Sequence, residues 1–383
     1  MAMIIKKTFR FRLKPKRKQE HLFFNFAGAC RWIYNFGLSS QISNYEVFGK
    51  KLTCFDLNNL LPLLKQNEET IWLKDVHSQI LQQSLKDLDR AYEGFFRRVR
   101  QKGNPGYPKF KKKGTGDSFR YPQGVKVDSK QVYLPRIGWV RFKKSREIEG
   151  KILQTTVIRE ANHWYVCFSC DIEVEDSKPL INEESVVGID MGLSTFATLA
   201  KGFKNKIEEI ENPKFLQRAL AKLRYLNRQL SRKSFQSSNR KKSKRRLQVF
   251  QAKLKNCRKD HAHKFSTRLV KNHDIVGVES LSIQSLLQKS SSLLARGIAD
   301  AAWGQFLNFV QYKLKYAGKV LVEASRWFAS TQICSSCANQ QKMDLSTRVY
   351  NCKCGNIMGR DENAAINIKN VALNKYKAAG MTV

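Results

Sequence analysis

Two short aliphatic runs constrain this chain more than any other feature: VVGID, ending at Asp190, and IVGVE, ending at Glu279. Each reads as a β-strand that stops at an acid where an apolar core would otherwise continue. The first is followed by a Gly-containing turn and a second strand, STFATLA, which together open an α/β sheet. A single acid at such a place is ordinarily a cap or a turn residue. Asp361, in GRDENAAINI (359–368), stands where a helix begins and can cap it. Yet steps of three, four and seven residues from Asp361 reach Ala364, Ala365 and Ile368, the face that would be buried. An unpaired buried carboxylate costs several kcal/mol, and a cation is the natural remedy. Three acids in the order strand, strand, helix fit one design, in which they converge on two Mg²⁺ ions roughly 4 Å apart that bracket a phosphodiester. Hard oxygen ligands suit Mg²⁺ or Mn²⁺, not zinc.

Charge narrows the partners. The 383 residues carry 70 Lys and Arg against 32 Asp and Glu, a net +38 distributed along most of the length. A folded surface so positive fits a polyanion, which means nucleic acid. No apolar run approaches the roughly 18 residues of a membrane helix, and MAMIIKKTFRFRLKPKRKQ has no apolar block long enough for a signal peptide. The expectation is an intracellular protein without a membrane partner.

The coarse organisation follows from periodicity. Residues 3–13 alternate as a strand that Lys14-Pro15 ends. From Val76 to Val99, apolar residues at three- and four-residue steps predict one long amphipathic helix. The Gly-, Pro- and Lys-rich stretch 100–118 breaks it, and alternating runs between about 118 and 176 predict a small β-barrel. If 3–13 joins that barrel, the helical block is inserted within it. After the linker DSKPLINEES come the α/β sheet, two long basic helical segments (213–234 and 239–270), and the helix ADAAWGQFLNFVQYKLKYAG ending at Gly318. Trp303 and Phe306 on that helix read as core at helical spacing, with stacking on nucleic acid the lesser alternative.

Nine cysteines in an intracellular-looking chain argue against a disulfide framework. Five are scattered among hydrophobic or helical segments. Cys334 and Cys337, in a C-x-x-C spacing, and Cys352 and Cys354, in C-x-C, form two close pairs fourteen residues apart. Four thiolates would make a tetrahedral structural Zn²⁺ site. Reduced, metal-free cysteines are the alternative, because the shorter second pair is harder to chelate simultaneously.

GIDMGLSTFATL, VGVESL, ADAAWGQF, the cysteine pairs after STQIC, and RDENAAINI occur in an order that resembles the transposon-encoded TnpB (OrfB) family of RNA-guided DNA nucleases, relatives of type V CRISPR effectors. RFRLKPKRKQE, CRWIYNFGL, LLKQNEETIWL, ILQQSLKDLDRAYEGFF and GYPKFKKK extend the resemblance to nearly the whole chain. It implies a multidomain α+β architecture. Residues 1–13 and 105–180 would form a wedge-like β-barrel, and 14–104 an inserted helical recognition region. A RuvC-like, RNase H-fold nuclease domain would span 181–329 and 358–372, interrupted by a zinc-ribbon-like module at 330–357, with 373–383 as a tail. Asp190, Glu279 and Asp361 fall on the family's catalytic acids, which hold Mg²⁺. Gln82, Gln83 and Tyr121 fall near the DNA that carries the target-adjacent motif. The partners implied are a guide RNA and target DNA, both double-stranded beside the motif and single-stranded, with the protein a monomer in the cytoplasm of a prokaryotic cell, active at the nucleoid. The chain leaves the family pattern at Cys54 and Ser78, where other polar or basic residues are expected and which bear on the motif recognised, at the C-x-C pair, and at Gly359, where a further acid is common. The rivals are a nuclease-inactive RNA-guided repressor, a non-enzymatic RNA-binding structural protein and a transposase or its accessory.

Overall fold

The computed structural model describes residues 2–175, 181–344 and 346–378, which divide into two compact units, Ala2–Val174 and Glu175–Val383. Part of the predicted linker, 176–180, lies outside the described residues.

The first unit opens with β1 (Ala2–Lys14) and continues into α1 (Arg17–Phe48), α2 (Cys54–Asn59), α3 (Leu61–Gln66), a 3-10 turn at Ile71–Asp75 and α4 (Ser78–Arg100). Six strands follow: β2 (Ser118–Tyr121), β3 (Lys126–Val127), β4 (Gln131–Leu134), β5 (Gly138–Lys143), β6 (Lys151–Glu160) and β7 (His163–Glu175). They form one sheet with β1, in the order β2-β6-β7-β1-β5-β4-β3. The first strand therefore does join the later ones, with the helices inserted between. The sheet has two ends, β2 and β3, so it is a half-barrel, not the closed barrel expected. Strand β3 is two residues long, too short to carry closure. The sheet and the inserted helices share one core: Phe23 and Phe26 of α1 meet Phe119 at 5.7 and 5.6 Å, and Phe23 meets Trp164 edge-on at 5.2 Å.

The second unit holds β8 (Val186–Met191), β9 (Thr195–Lys201) and β10 (Lys206–Glu211), then the helices α5 (Phe215–Ser231) and α6 (Ser238–Asn272) and the strand β11 (Ile275–Glu279). Beyond β11 lie α7 (Ile283–Lys289), α8 (Ser292–Ala301), α9 (Trp303–Tyr316), β12 (Val320–Ala324), β13 (Val349–Asn351), β14 (Ile357–Gly359) and α10 (Arg360–Ala378). The sheet order is β10-β9-β8-β11-β12. β11 runs parallel to both β8 and β12, while β9 is antiparallel to β8 and β10. Alternation along the strands gives the sheet two faces. Val187, Ile189, Val276 and Val278 point into a core with Phe196, Phe265, Trp303 and Phe306, which places both helix aromatics inside the protein as read. Val186 and Ile275 point to the other face, where Ala372 and Tyr376 of α10 cover them.

Two helix boundaries differ from the sequence reading. The helix predicted over 299–318 is two helices, broken at Ala302, which adopts a left-handed conformation with φ 52°. Just before the break, Asp300 accepts the Leu216 N–H at the start of α5, at 2.9 and 2.8 Å, while the guanidinium of Arg258 donates to the same carboxylate at 2.8 Å. Residues 373–378 are not tail but the last turns of α10, held by Tyr376.

Candidate active site

Gly188 and Gly277 set how close α10 comes to the sheet. A Cβ at Gly188 would lie 2.2 Å from the Ala365 carbonyl oxygen and 2.4 Å from the Lys369 nitrogen. One at Gly277 would lie 2.7 Å from the Ala372 Cβ and 2.9 Å from the Ile368 oxygen. The absence of side chains lets helix backbone rest on strand backbone. Asp190 and Glu279 sit two residues beyond these glycines, so by the two-residue repeat of a strand they project from the same α10-facing side. Ile189 pairs with Val278, which makes Asp190 and Glu279 neighbours at the carboxyl ends of adjacent parallel strands. Such a position, where β8 meets β9 on one side and β11 on the other, is where open α/β sheets bind ligands. Helix α10 runs opposite to β8, with Ala372 near Val186 and Ala365 near Gly188. One turn back from Ala365 therefore delivers Asp361 to the same end of the sheet.

Asp190 feels both other acids. Burial, the charge of Asp361 and the charge of Glu279, in that order, push the Asp190 carboxyl up from 3.8 to about 7, against the opposing pull of Arg360 and a hydrogen bond from the Met191 amide. Burial also raises Glu279. Arg360 is the resident cation: its Nη2 and Nε each lie 3.4 Å from Asp361 Oδ1. The three carboxylates lie at one end of the sheet. Their chemistry, hard anionic oxygens that repel one another at a partly buried strand end, is a donor set that a divalent cation relieves. At Gly359, a Cβ would come within 3.1 Å of the Glu362 carboxylate, which already accepts the Gly359 N–H at 3.0 Å. A side chain at 359 would thus crowd Glu362, which would have to give by a few tenths of an ångström.

The four cysteines do come together. Sγ of Cys334 lies 3.7 Å from that of Cys354, and Sγ of Cys337 lies 3.6 Å from that of Cys352. A tetrahedron with Zn–S bonds of about 2.3 Å has edges of about 3.75 Å, so these sulfurs are spaced for zinc. The C-x-C pair reaches because the turn after it is tight: the Cys352 amide donates to the Asn356 carbonyl, the Gly355 amide to the Cys352 carbonyl, and Gly355 takes φ 86°. Burial works against ionising Cys334, but the amides of Cys337 and Ser336 and the side chain of Asn356 outweigh it and hold that thiol below the ordinary range.

The residues placed near DNA are not equally available. Gln82 is exposed on α4, one turn beyond Ser78, whose hydroxyl accepts from Lys65 at 2.6 Å. Gln83 is 9% exposed, and Tyr121 is fully buried with its hydroxyl donating to the Pro135 carbonyl at 2.9 Å. A Tyr121 ring locked in the half-barrel core presents no face to a base. One surface escaped the sequence reading, and a second extends the basic helical segments that it named. In the first unit, a cleft of about 1310 Å³ is lined by Arg31, Trp32, Trp72, Lys113, Arg136 and Arg159 among others, with Trp32 stacked on Phe36 at 5.5 Å. In the second, Pro213–Lys259 holds seventeen Lys and Arg and no acid, and α5 within it buries no residue. The signals were present as an acid-free interval and, for the glycines, as a Gly-x-acid pattern shared by both strands.

No helix among the described residues is long and apolar enough to cross a membrane. Comparison with known proteins finds a family described as "Probable transposase" over residues 169–290 and a "Cas12f1-like, TNB domain" over 303–368. A "Helix-turn-helix domain" match covers residues 1–51, where this chain has β1 and the single uninterrupted helix α1. A protein of Escherichia coli (strain K12) named "Putative RNA-guided DNA endonuclease InsQ" is 35% identical over 94% of this chain and 91% of its own length. One of Streptomyces pristinaespiralis named "Putative RNA-guided DNA endonuclease" is 32% identical over 96% and 90%. A solved complex of Cas12f1 with guide RNA and target DNA aligns with 96% of this chain and 99% of that one, at 17% identity and a TM-score of 0.37. With identity of this level sustained from end to end, the chain belongs to the TnpB/OrfB family.

Proposed function

We propose that this protein is an RNA-guided DNA endonuclease of a transposable element, which binds a guide RNA, recognises a short motif beside its target and hydrolyses phosphodiester bonds at Asp190, Glu279 and Asp361. The observation that carries the reading is the delivery of these three acids, from two parallel strands and one crossing helix, to one end and one face of the second unit's sheet. Numbered by first appearance, that sheet runs 3-2-1-4-5, the order expected of an RNase H-like, RuvC-type domain. The names borne by relatives aligned along nine-tenths of their length support the same activity.

Asp190, Glu279 and Asp361 would hold two divalent cations, Mg²⁺ or Mn²⁺. When bound, these ions polarise the phosphodiester and lower the pKa of nearby water. The acids supply negative charge concentrated by proximity, and Asp190, pushed up by burial, Asp361 and Glu279, would shed its proton as a cation binds. Arg360, beside Asp361, is placed to neutralise the group until cations arrive and to face a phosphate afterwards. Cys334, Cys337, Cys352 and Cys354 would hold a structural Zn²⁺. The half-barrel and inserted helices take the wedge and recognition roles, with the target-adjacent motif read from the exposed face of α4 at Gln82 instead of at Tyr121. Pro213–Lys259 gives the second unit a phosphate-binding surface.

The test is to copurify the protein with its RNA and challenge it with DNA carrying the guide's complement and randomised flanks, with Mg²⁺ and with EDTA. Cleavage behind one enriched flank, abolished by EDTA and by Asp190→Ala or Glu279→Ala, is expected. Cleavage that survives either substitution would sink the assignment of the acids. Guide-dependent binding without any cleavage would favour a repressor.

A further inference from the structure

Helix α10 is clamped from two sides, and only one of them is the sheet. Ala365, Ile368 and Ala372 rest on β8 and β11. Asn363 and Asn367 lie roughly 200–240° around the helix from Asp361 and face away from that contact. They are 0% and 5% exposed, yet neither side chain is apolar, and each is spent on backbone. The Asn363 Oδ1 accepts the Ser335 N–H at 2.9 Å, and its Nδ2 donates to the Ile333 carbonyl at 2.7 Å. The Asn367 Nδ2 donates to the same carbonyl at 2.6 Å and to that of Ser330 at 2.8 Å. The segment so gripped, Ser330–Ser335, contains Cys334 and has no regular structure beyond one isolated bridge, Ile333 to Gln340. Turn bonds such as the Cys334 amide to the Asn339 carbonyl at 2.9 Å hold it locally, and the sulfur cluster ties it to the turn that carries the other cysteine pair. The other cysteine pair sits on the turn between β13 and β14, and β14 runs directly into Arg360 and Asp361, with the Arg360 amide bonded to the Arg348 carbonyl at 2.8 Å.

We propose that Asn363 and Asn367 are positioning residues through which the metal state of the four-cysteine module sets the placement of Asp361, so that zinc at the cysteines and a divalent cation at the acids bind cooperatively. The inference rests on reading the three acids as a cation site. Asp361 lies in the first turn of α10, where backbone amides lack helical partners and fraying is the default. Ordering that turn before the cation arrives removes part of its ordering cost, and two ligands that order the same element favour each other. Linkage then requires reciprocity: whatever factor zinc adds to divalent-cation affinity, the cation adds to zinc affinity.

The experiment titrates Mn²⁺ into the full chain, followed by electron paramagnetic resonance, with zinc bound and after its removal by a thiol-competing chelator. Zinc content and the thermal transitions are measured in parallel. In the wild type, zinc removal is expected to weaken Mn²⁺ binding about five- to twentyfold, and saturating Mn²⁺ to tighten zinc by the same factor. Asn363→Ala and Asn367→Ala are expected to keep one zinc per chain while the with-zinc to without-zinc ratio falls towards one. Equal Mn²⁺ affinity with and without zinc in the wild type would overturn the proposal, as would an undiminished ratio in both variants that keep zinc. The wild-type comparison needs no substitution and decides the matter even if a variant misfolds. Asp361→Ala separates the two levels: if it leaves Mn²⁺ binding unchanged, the acid-site reading fails, whereas failure of the coupling alone leaves that reading intact.

Discussion

Holding Asp190 beside two other acids has a cost that the divalent-free protein must show. Asparagine at 190 keeps the shape and removes the charge. In the folded chain the Asp190 carboxyl is pushed from 3.8 to about 7, chiefly by burial and then by Asp361 and Glu279. Between those values the native chain holds a proton that the unfolded chain has released, so wild-type stability falls as pH rises from about 4 to about 7 and then levels. At 1.36 kcal/mol per pH unit the full interval is worth about 4 kcal/mol. Because the side chain keeps some solvent access, about 1–3 kcal/mol is the realistic penalty at pH 7.5. Asp190→Asn should therefore raise the melting temperature of the second unit by about 3–8 °C at pH 7.5 in EDTA. The gain should vanish near pH 4, where the wild-type carboxyl is also neutral. Calorimetry across a pH series reads this directly, and Mg²⁺ should raise the wild type towards the variant while leaving the variant nearly unmoved. A variant no more stable than wild type at pH 7.5, or equally stabilised at pH 4, would refute the claim that Asp190 is a strained carboxylate in a shared acidic site.

Other outcomes follow from particular contacts. Gly188→Ala, whose Cβ would meet backbone of α10 at 2.2 Å, should destabilise the second unit by about 3 kcal/mol or more in denaturant titration and lower divalent-cation affinity along with it. Asp300→Ala removes both the acceptor for the α5 amide and the partner of Arg258, and should cost about 2–3 kcal/mol by the same measurement. Replacing Lys241, Lys244, Arg245 and Arg246 by alanine should weaken nucleic-acid binding across sequences and flatten the slope of log affinity against log salt by up to about 3–4, measured by filter binding between 50 and 300 mM salt (an assay range of about the size over which screening acts).

How much of this was legible in the sequence depends on whether the information was local. The strands ending at Asp190 and Glu279 declared themselves because an aliphatic run interrupted by an acid is a contradiction that needs explaining within five residues. Asp361 was legible through helical periodicity, again a local rule. The break at Ala302 was not, because nothing in ADAAWGQF opposes a continuous helix; the contact of Asp300 just before it, with the start of α5, spans 84 residues of sequence. The burial of Tyr121 was legible in SFRY, where Phe119 and Tyr121 alternate with Ser118 and Arg120, and it was the family likeness that pointed the ring towards DNA.

The C-x-C pair teaches the opposite lesson, that a local irregularity can be absorbed by its surroundings. Counting residues made Cys352 and Cys354 look too close to share a tetrahedron with Cys334 and Cys337, yet all four sulfurs lie within 4.8 Å of one another. The missing residue is made up by Gly355, whose φ of 86° few other residues would tolerate, and by the side chain of Asn356, which reaches Cys334 Sγ at 3.5 Å. The departure at Gly359 has the same character: its N–H is taken up from within the helix by Glu362. Both compensations lie on the stretch of chain that joins the cysteine turn to Asp361. The C-x-C pair and Gly359 thus both sit on a covalent connection, alongside the Asn363 and Asn367 contacts, through which the cysteine module and the acids can sense each other. Gly355→Ala, which strains the turn without removing a thiol or an acid, should consequently weaken metal uptake at both sites together, and an effect confined to zinc would show that the connection carries nothing.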